Sequence, residues 1–424
     1  MFLRHYRVFL LLLIICRISS SQAAPSSNRA HILLRLDPAT QHFWCRYTLT
    51  IPAETARENV RLNLNKEFKV LGIKAPHSSQ QQVAPYLYPV FQDTVQGIEV
   101  AYAPHNRQPR QISITYEGTL SARFATAQVM ELSGHSFWVP VLPYKEYEPV
   151  DYLLEVQAPV RYSVISTRPP VRHSRGHYTF KGRTSAIELT ALAAEQFSRL
   201  ESAAATAVPV GLYKAGPSLN LADSLLLPET EKVVAFYNGT IGRQNPMPRF
   251  ALLLPGTDRD AFGLLDNATV ITYPDFDIRH PKDRLILAHE ISHKWWSSGS
   301  FNDYNDWLNE AFAVYSSLLY VQAAGDTTTY RQVMATHTAA AAGAPAIIGF
   351  QKAHYDYPTY RRVVYSKGTV VLGALHKRLG DAQFMQLLAS TAAQKTASTE
   401  AFLALVEQTA GAENRAWLTG LLTH

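Results

Sequence analysis

From residue 28 to residue 210 the chain runs through AHILLRLD, FWCRYTLTIP, VRLNLN, FKVLGIKA, GIEVAYA, RQISITYEG, YLLEVQAP, YSVIST, HYTFKG and SAIELTAL. Each is a short run of β-branched and aromatic residues, punctuated by Pro, Gly, Asn or Asp, and reads as a strand. That many strands without a helical repeat must bury their apolar faces against one another, in a sandwich or a saddle-like sheet assembly. Near SRLESAAATAV the composition shifts, and PVGLY reads as one last strand. Beyond it apolar residues recur at helical spacing, in LPETEKVVAFYNGTIG and then over ~281–298, ~306–323, ~328–342, ~360–379, ~381–392, ~398–409 and ~413–422. RFALLLP and ATVITYP read as strands between them. The expectation is an α+β protein, with a β domain over 24–211 and a mainly helical domain with a small sheet over 212–424.

The start of the chain reads as an export signal. Arg4 and Arg7 precede VFLLLLIIC, a run too short for an ordinary membrane span, and small residues follow up to Ala23. Residues 1–23 are therefore expected to be removed, giving a periplasmic or secreted protein with no stable membrane span. Loss of Arg4, Arg7 and Arg17 lowers the net charge of +6 by three. The remaining excess is too small for the concentrated basic face that nucleic-acid binding needs. Cys16 leaves as well, so Cys45 has no partner for an internal disulfide and reads as a buried strand thiol.

The chemistry concentrates in HEISHKWWSSGSFNDYNDWLNEAFAVY, from His289 to Tyr315. On a helix His289 and His293 lie one turn apart, so both imidazoles reach one zinc ion. Glu290 stands beside that face, where its carboxylate can take a proton from the attacking water. A catalytic zinc wants a third protein ligand and one open position. Glu310 supplies it, because a lone carboxylate in the apolar helix of Trp307, Phe312, Val314, Leu318 and Leu319 needs a partner. One Zn2+ per chain is expected, with Gly299 in the turn between the helices and Asp303 or Asn305 as the cap of the second.

HEISHKWW and WLNEAFAVY resemble the zinc aminopeptidases related to aminopeptidase N and leukotriene hydrolase, which carry H-E-x-x-H followed by W-L-N-E-G-F-A. Sixteen residues, Lys294 to Asn309, separate the second histidine from the glutamate, where the family usually has 18; the shortening falls in the turn. VVYSKG is similar to the family's Y-x-K-G segment, and FGLLDNATVITY, Gly263 to Tyr273 with its preceding Phe262, stands where the family has G-x-M-E-N and W-G-L-I-T-Y. The resemblance implies a thermolysin-like catalytic domain, a peptide or protein substrate, Glu290 as general base and Tyr365 as the oxyanion donor. Tyr360 is a weaker second candidate, better suited to packing.

It also implies that Gly263, Asp266 and Asn267 lie on an edge strand that pairs with the substrate backbone. Asp266 stands where the family's amine-binding glutamate falls, one methylene shorter. Glu131, in MELSGHSFWVP, is a second candidate amine anchor, with a solvated surface glutamate as the alternative. The family's long forms add a helical C-terminal domain that this pattern lacks. Together with Asp266, that leaves open a zinc peptidase of relaxed or endopeptidase specificity beside the aminopeptidase. A non-catalytic peptide-binding protein on the same scaffold is the third reading, although Glu290 and all three ligands are retained.

Overall fold

The computed structural model describes residues 27–91, 93–104, 108–203, 208–257, 261–264 (backbone) and 268–424. The export signal expected over 1–23 lies outside the described residues, as do Asp266 and Asn267. No helix among the described residues is long and apolar enough to cross a membrane.

The first half is built of sheets, as the strand pattern requires. A seven-stranded sheet is arranged around Arg29–Asp37, which pairs antiparallel with His42–Ile51 and parallel with Pro149–Gln157. Alternation decides which face is buried: Ile32, Leu34, Phe43, Cys45, Tyr47, Ile112, Ile114 and Tyr116 all point into one core. Cys45 is fully enclosed there, and burial pushes its thiol up to about 12, which keeps it inert. Two three-stranded sheets complete this half. One carries Val129–Leu132, and with it Glu131, paired antiparallel to Ala191–Ala194.

A further sheet joins the halves, in the order Phe197–Glu201, Val210–Ala215, Phe250–Leu254, Ala268–Ile271, Ala261–Leu264. The border expected at 211 therefore falls inside a strand whose neighbours on both sides belong to this sheet. Ala261–Leu264 closes the sheet as an edge strand, with Gly263 opposite Thr269.

Helices α1 (Leu221–Gly239), α2 (Pro281–Ser292), α3 (Trp307–Ala323), α4 (Thr327–Ala341), α5 (Tyr357–Arg361), α6 (Gly368–Leu379), α7 (Asp381–Ala393), α8 (Thr399–Ala410) and α9 (Ala412–Thr423) build the second half. α1 starts earlier than its apolar spacing suggests, because Asn220 and Asp223 form a reciprocal capping box. α2 starts on Pro281 at its first turn, with Asp283 beside the positive end of the helix dipole. It ends at Ser292 rather than running on to 298. Its last turn tightens, with Trp295 N–H donating to the Ser292 carbonyl at 2.9 Å, and Trp295 and Trp296 turn into the core.

The segment expected as one helix over 360–379 is three pieces. α5 leads into a π-helical turn over Arg362–Lys367, and α6 follows. Such wide turns are rare and gather at functional sites.

Candidate metal centre and active site

α2 and α3 pack against each other and carry the site on their facing sides. Behind α3, Trp296, Trp307, Phe312 and Phe402 form an edge-on aromatic cluster with centroids 5.0 to 5.7 Å apart. Their indole groups are anchored too: Trp307 Nε1 donates to Thr399 Oγ1 at 2.9 Å and Trp296 Nε1 to Ser316 Oγ at 2.8 Å. Tyr237 of α1 donates to the Ala288 carbonyl at 2.9 Å and fixes α2 immediately before His289. The two helices are thereby rigid supports for their polar residues.

The turn between them is short because it is clamped. Asn309, fully buried, accepts from Gly299 N–H at 2.9 Å and donates to the Gly299 carbonyl at 3.0 Å. A Cβ on Gly299 would lie 2.4 Å from the Asn305 carbonyl oxygen, so glycine alone allows this approach. Asp303 caps only the short 3-10 turn Tyr304–Asp306, accepting from Asn305 N–H at 2.7 Å; the cap position of α3 itself falls to Asp306, so neither residue expected there fills it. The Asn305 side chain acts elsewhere, accepting from Thr399 N–H at 2.7 Å and so tying the turn to α8.

Three donors converge across the α2–α3 groove. The Nε2 atoms of His289 and His293 are 3.1 Å apart, and Glu310 Oε2 lies 3.4 Å from the first and 3.7 Å from the second. Ligands held about 2.0–2.2 Å from a tetrahedral zinc sit about 3.3–3.6 Å from one another. The three spacings bracket that range within about 0.2 Å, and among the described residues this is the one group of His, Cys, Asp or Glu so placed. The side chains are 17%, 17% and 16% exposed, which leaves one side open for a fourth position. His293 Nδ1 lies 2.9 Å from the Trp296 carbonyl. Donation there fixes the tautomer and turns the Nε2 lone pair to the metal position. Burial acts to raise the Glu310 carboxyl, yet the hydrogen bond and charge from the histidines and a hydrogen bond from Tyr365 hold it down at about 2. It is therefore present as the anion a metal requires.

Glu290, next to His289 on α2, is partly exposed in the same cleft. Tyr365 emerges from the π-helical turn with its ring parallel to that of His289, centroids 6.5 Å apart. Gly368 brings this turn onto α3, since a Cβ there would lie 2.5 Å from Ala311 Cβ. Burial first, then the charge of Glu310, raises the Tyr365 phenol well above its ordinary value, so it remains a hydrogen-bond donor. Tyr365→Phe is expected to keep its metal and lose roughly 10²–10³-fold in turnover, the cost of an absent oxyanion donor. A Phe variant with unaltered turnover returns Tyr365 to a packing role.

Tyr360 is buried, and its hydroxyl donates to Asp306. Asp306 also accepts from Asn309 Nδ2 at 2.9 Å. Burial, then the nearby charge of Glu310, pushes its carboxyl up to about 6. This acid, its tyrosine and the Asn309 clamp form a layer behind Glu310 that the sequence reading missed. The available signal was two polar residues, Asp306 and Asn309, inside an otherwise apolar run.

Glu131 is not the solvated surface residue of the alternative reading: it is fully buried. Its carboxylate accepts from Ser133 Oγ at 2.7 Å and from Thr257 Oγ1 at 2.6 Å. Thr257 follows the strand Phe250–Leu254 and stands four residues ahead of the edge strand. Gly263 lies on that strand, which packs against α2.

A two-histidine, one-glutamate centre with an adjacent glutamate and a phenol donor defines a zinc metallopeptidase site. Residues 230–417 match the peptidase family M1 domain. No curated protein matches the sequence. Among solved structures, the M1 zinc metallopeptidase from Deinococcus radiodurans is 18% identical with a TM-score of 0.67, covering 94% of this chain and 93% of its own. A point mutant of it bound to a Tyr-Ser-Ala substrate matches at 18% identity and TM-score 0.67, covering 93% of each chain. A two-domain M1 zinc metallopeptidase mutant bound to L-arginine is 18% identical with TM-score 0.68 over 94% of each chain. The shared fold is a β-rich N-terminal half followed by a helical catalytic half.

Proposed function

We propose that this protein is an aminopeptidase, removing residues from the free amino termini of peptides after export to the periplasm or the medium. The observation that carries the reading is Glu131, a buried acid hydrogen-bonded to the segment that leads into the edge strand beside the zinc ligands. An acid fastened to the residue four positions ahead of that strand suits an ammonium group, and a strand edge suits the backbone of an extended peptide. By the resemblance, Asp266 would supply a second carboxylate.

When bound, the zinc polarises the scissile carbonyl and acidifies the attacking water. His289, His293 and Glu310 would hold it. Glu290 takes the proton from the water as the bond to the carbonyl carbon forms, then delivers it to the departing amine. Tyr365 donates to the carbonyl oxygen as that atom gains charge.

The deciding comparison is a matched pair of peptides, one with a free amino terminus and one N-acetylated. The free peptide is expected to be cleaved preferentially, and Asp266→Ala to raise KM for it while leaving the acetylated peptide nearly unaffected. Because aspartate sits ~1.5 Å further back than glutamate would, one bond length, a charged hydrogen bond to the amine is weakened. The preference is therefore expected to be less strict than a glutamate would give. If acetylated peptides are cut internally as fast as free ones and Asp266→Ala changes neither, the protein is an endopeptidase of relaxed specificity.

A further inference from the structure

Arg361 ends α5, four residues before Tyr365. Its guanidinium carbon lies 4.4 Å from the centre of the Tyr365 ring and 5.9 Å from that of Tyr357. The Tyr365 ring in turn lies parallel to that of His289. Arg361 thus stands against the ring of the phenol donor, which lies beside the zinc ligand His289. Yet the guanidinium makes only a long contact to Tyr357 Oη, 3.4 Å from Nη1, and the residue is exposed. Among the described residues no carboxylate oxygen lies within ion-pair distance of it.

Other arginines of this half are engaged in two ways, with Arg243 and Arg331 bonding, among the described residues, only oxygens of the preceding helical turn. Arg279, Arg284 and Arg415 each meet an acid, and Arg362 is spent on the carbonyls of Ala340 and Ala342. The charge of Arg361 also reaches a half-buried neighbour. Burial holds the His337 imidazole below its ordinary value, and Arg361 adds to that. Lys352, likewise lacking an acid within ion-pair distance, stands with Nζ 4.3 Å from the centre of the Tyr360 ring. A site with the donors for a dication, and with a planar fork beside its oxyanion donor that no carboxylate among the described residues pairs directly, suits an anion. A free peptide carries one, its terminal carboxylate. An extended chain advances about 3.3–3.6 Å per residue, so a carboxylate one or two residues past the scissile bond falls within reach of an arginine beside Tyr365.

Resting on the peptidase reading, we propose that Arg361 is a specificity-determining residue that pairs with a substrate carboxylate close behind the scissile bond. Its planar fork suits bidentate pairing with a carboxylate. The protein is then a peptidase for very short peptides, or for peptides with an acidic second residue.

Calorimetric binding to zinc-loaded Glu290→Gln protein tests this without turnover, using Ala-Ala, Ala-Ala-amide and Ala-Glu-amide. At least one carboxylate-bearing peptide is expected to bind roughly 10–100-fold more tightly than Ala-Ala-amide, as a charge-assisted hydrogen-bonded pair allows. Tight Ala-Ala identifies the chain end, and tight Ala-Glu-amide the side chain. Adding Arg361→Gln should bring the ratio to within about twofold, and Arg361→Lys, which keeps the charge without the fork, should retain part of it. Equal binding of all three peptides, or a ratio that survives Arg361→Gln, overturns the proposal. Amino-acid release by the wild type is scored separately. A protein that keeps the ratio but releases nothing sinks the peptidase reading alone, and a peptidase without the ratio sinks the role of Arg361 alone.

Discussion

Glu290→Gln binds zinc like the wild type and loses roughly 10²–10⁴-fold in turnover, the range that positioned general bases contribute. The expectation follows from where the residue stands. Glu290 neighbours His289 on α2 but is not one of the three converging donors, so an amide of the same shape leaves the ligand set intact. What the amide cannot do is accept the proton that the attacking water must lose. Metal content measured on the same preparation as kcat separates the two effects. A Gln variant within about tenfold of wild type would remove Glu290 from its role, and one that had also lost its zinc would place it among the ligands.

Glu310→Ala is the complementary case: the zinc itself is lost. Two imidazoles 3.1 Å apart remain, but among the described residues no other acid joins that group, and Asp306 is engaged by Tyr360 and Asn309. Affinity should fall by more than the roughly 10–100-fold that loss of an outer partner costs. A second readout is thermal. Zinc added to the wild type raises its melting temperature by linkage, since the metal binds the folded state, and that rise should vanish in Glu310→Ala. Full zinc retention would mean that another residue is the third ligand.

The ligand set was readable from the sequence because it is local in the sense that matters. His289 and His293 are spaced by one helical turn, and Glu310 is an uncompensated charge in an apolar helix; both facts survive without coordinates. The sheet half was legible for the same reason, since the burial of Ile32, Leu34 and Leu36 on alternate residues is a direct consequence of strand geometry. What stayed hidden was every feature that depends on residues distant in sequence. Glu131 is held by Thr257, 126 positions away, and Trp307 by Thr399, 92 away; no periodicity announces such bonds. The π-helical turn at Tyr365 is a one-residue shift within an apolar pattern that reads equally well as continuous helix. The break at Ser292 likewise follows from Trp295 and Trp296 seeking the core, with Trp295 Nε1 donating to the Asn245 carbonyl at 3.0 Å.

The central claim, that one zinc on His289, His293 and Glu310 performs the chemistry, is tested most directly by titrating metal back into stripped protein. Purified protein is treated with a chelator, dialysed, and assayed for release of the first residue of a free-amine peptide as zinc is added. Activity should disappear with the metal and return in proportion to added zinc, reaching its plateau at one equivalent per chain. Peptide hydrolysis that persists in metal-free protein, or that needs two equivalents to return, would contradict it.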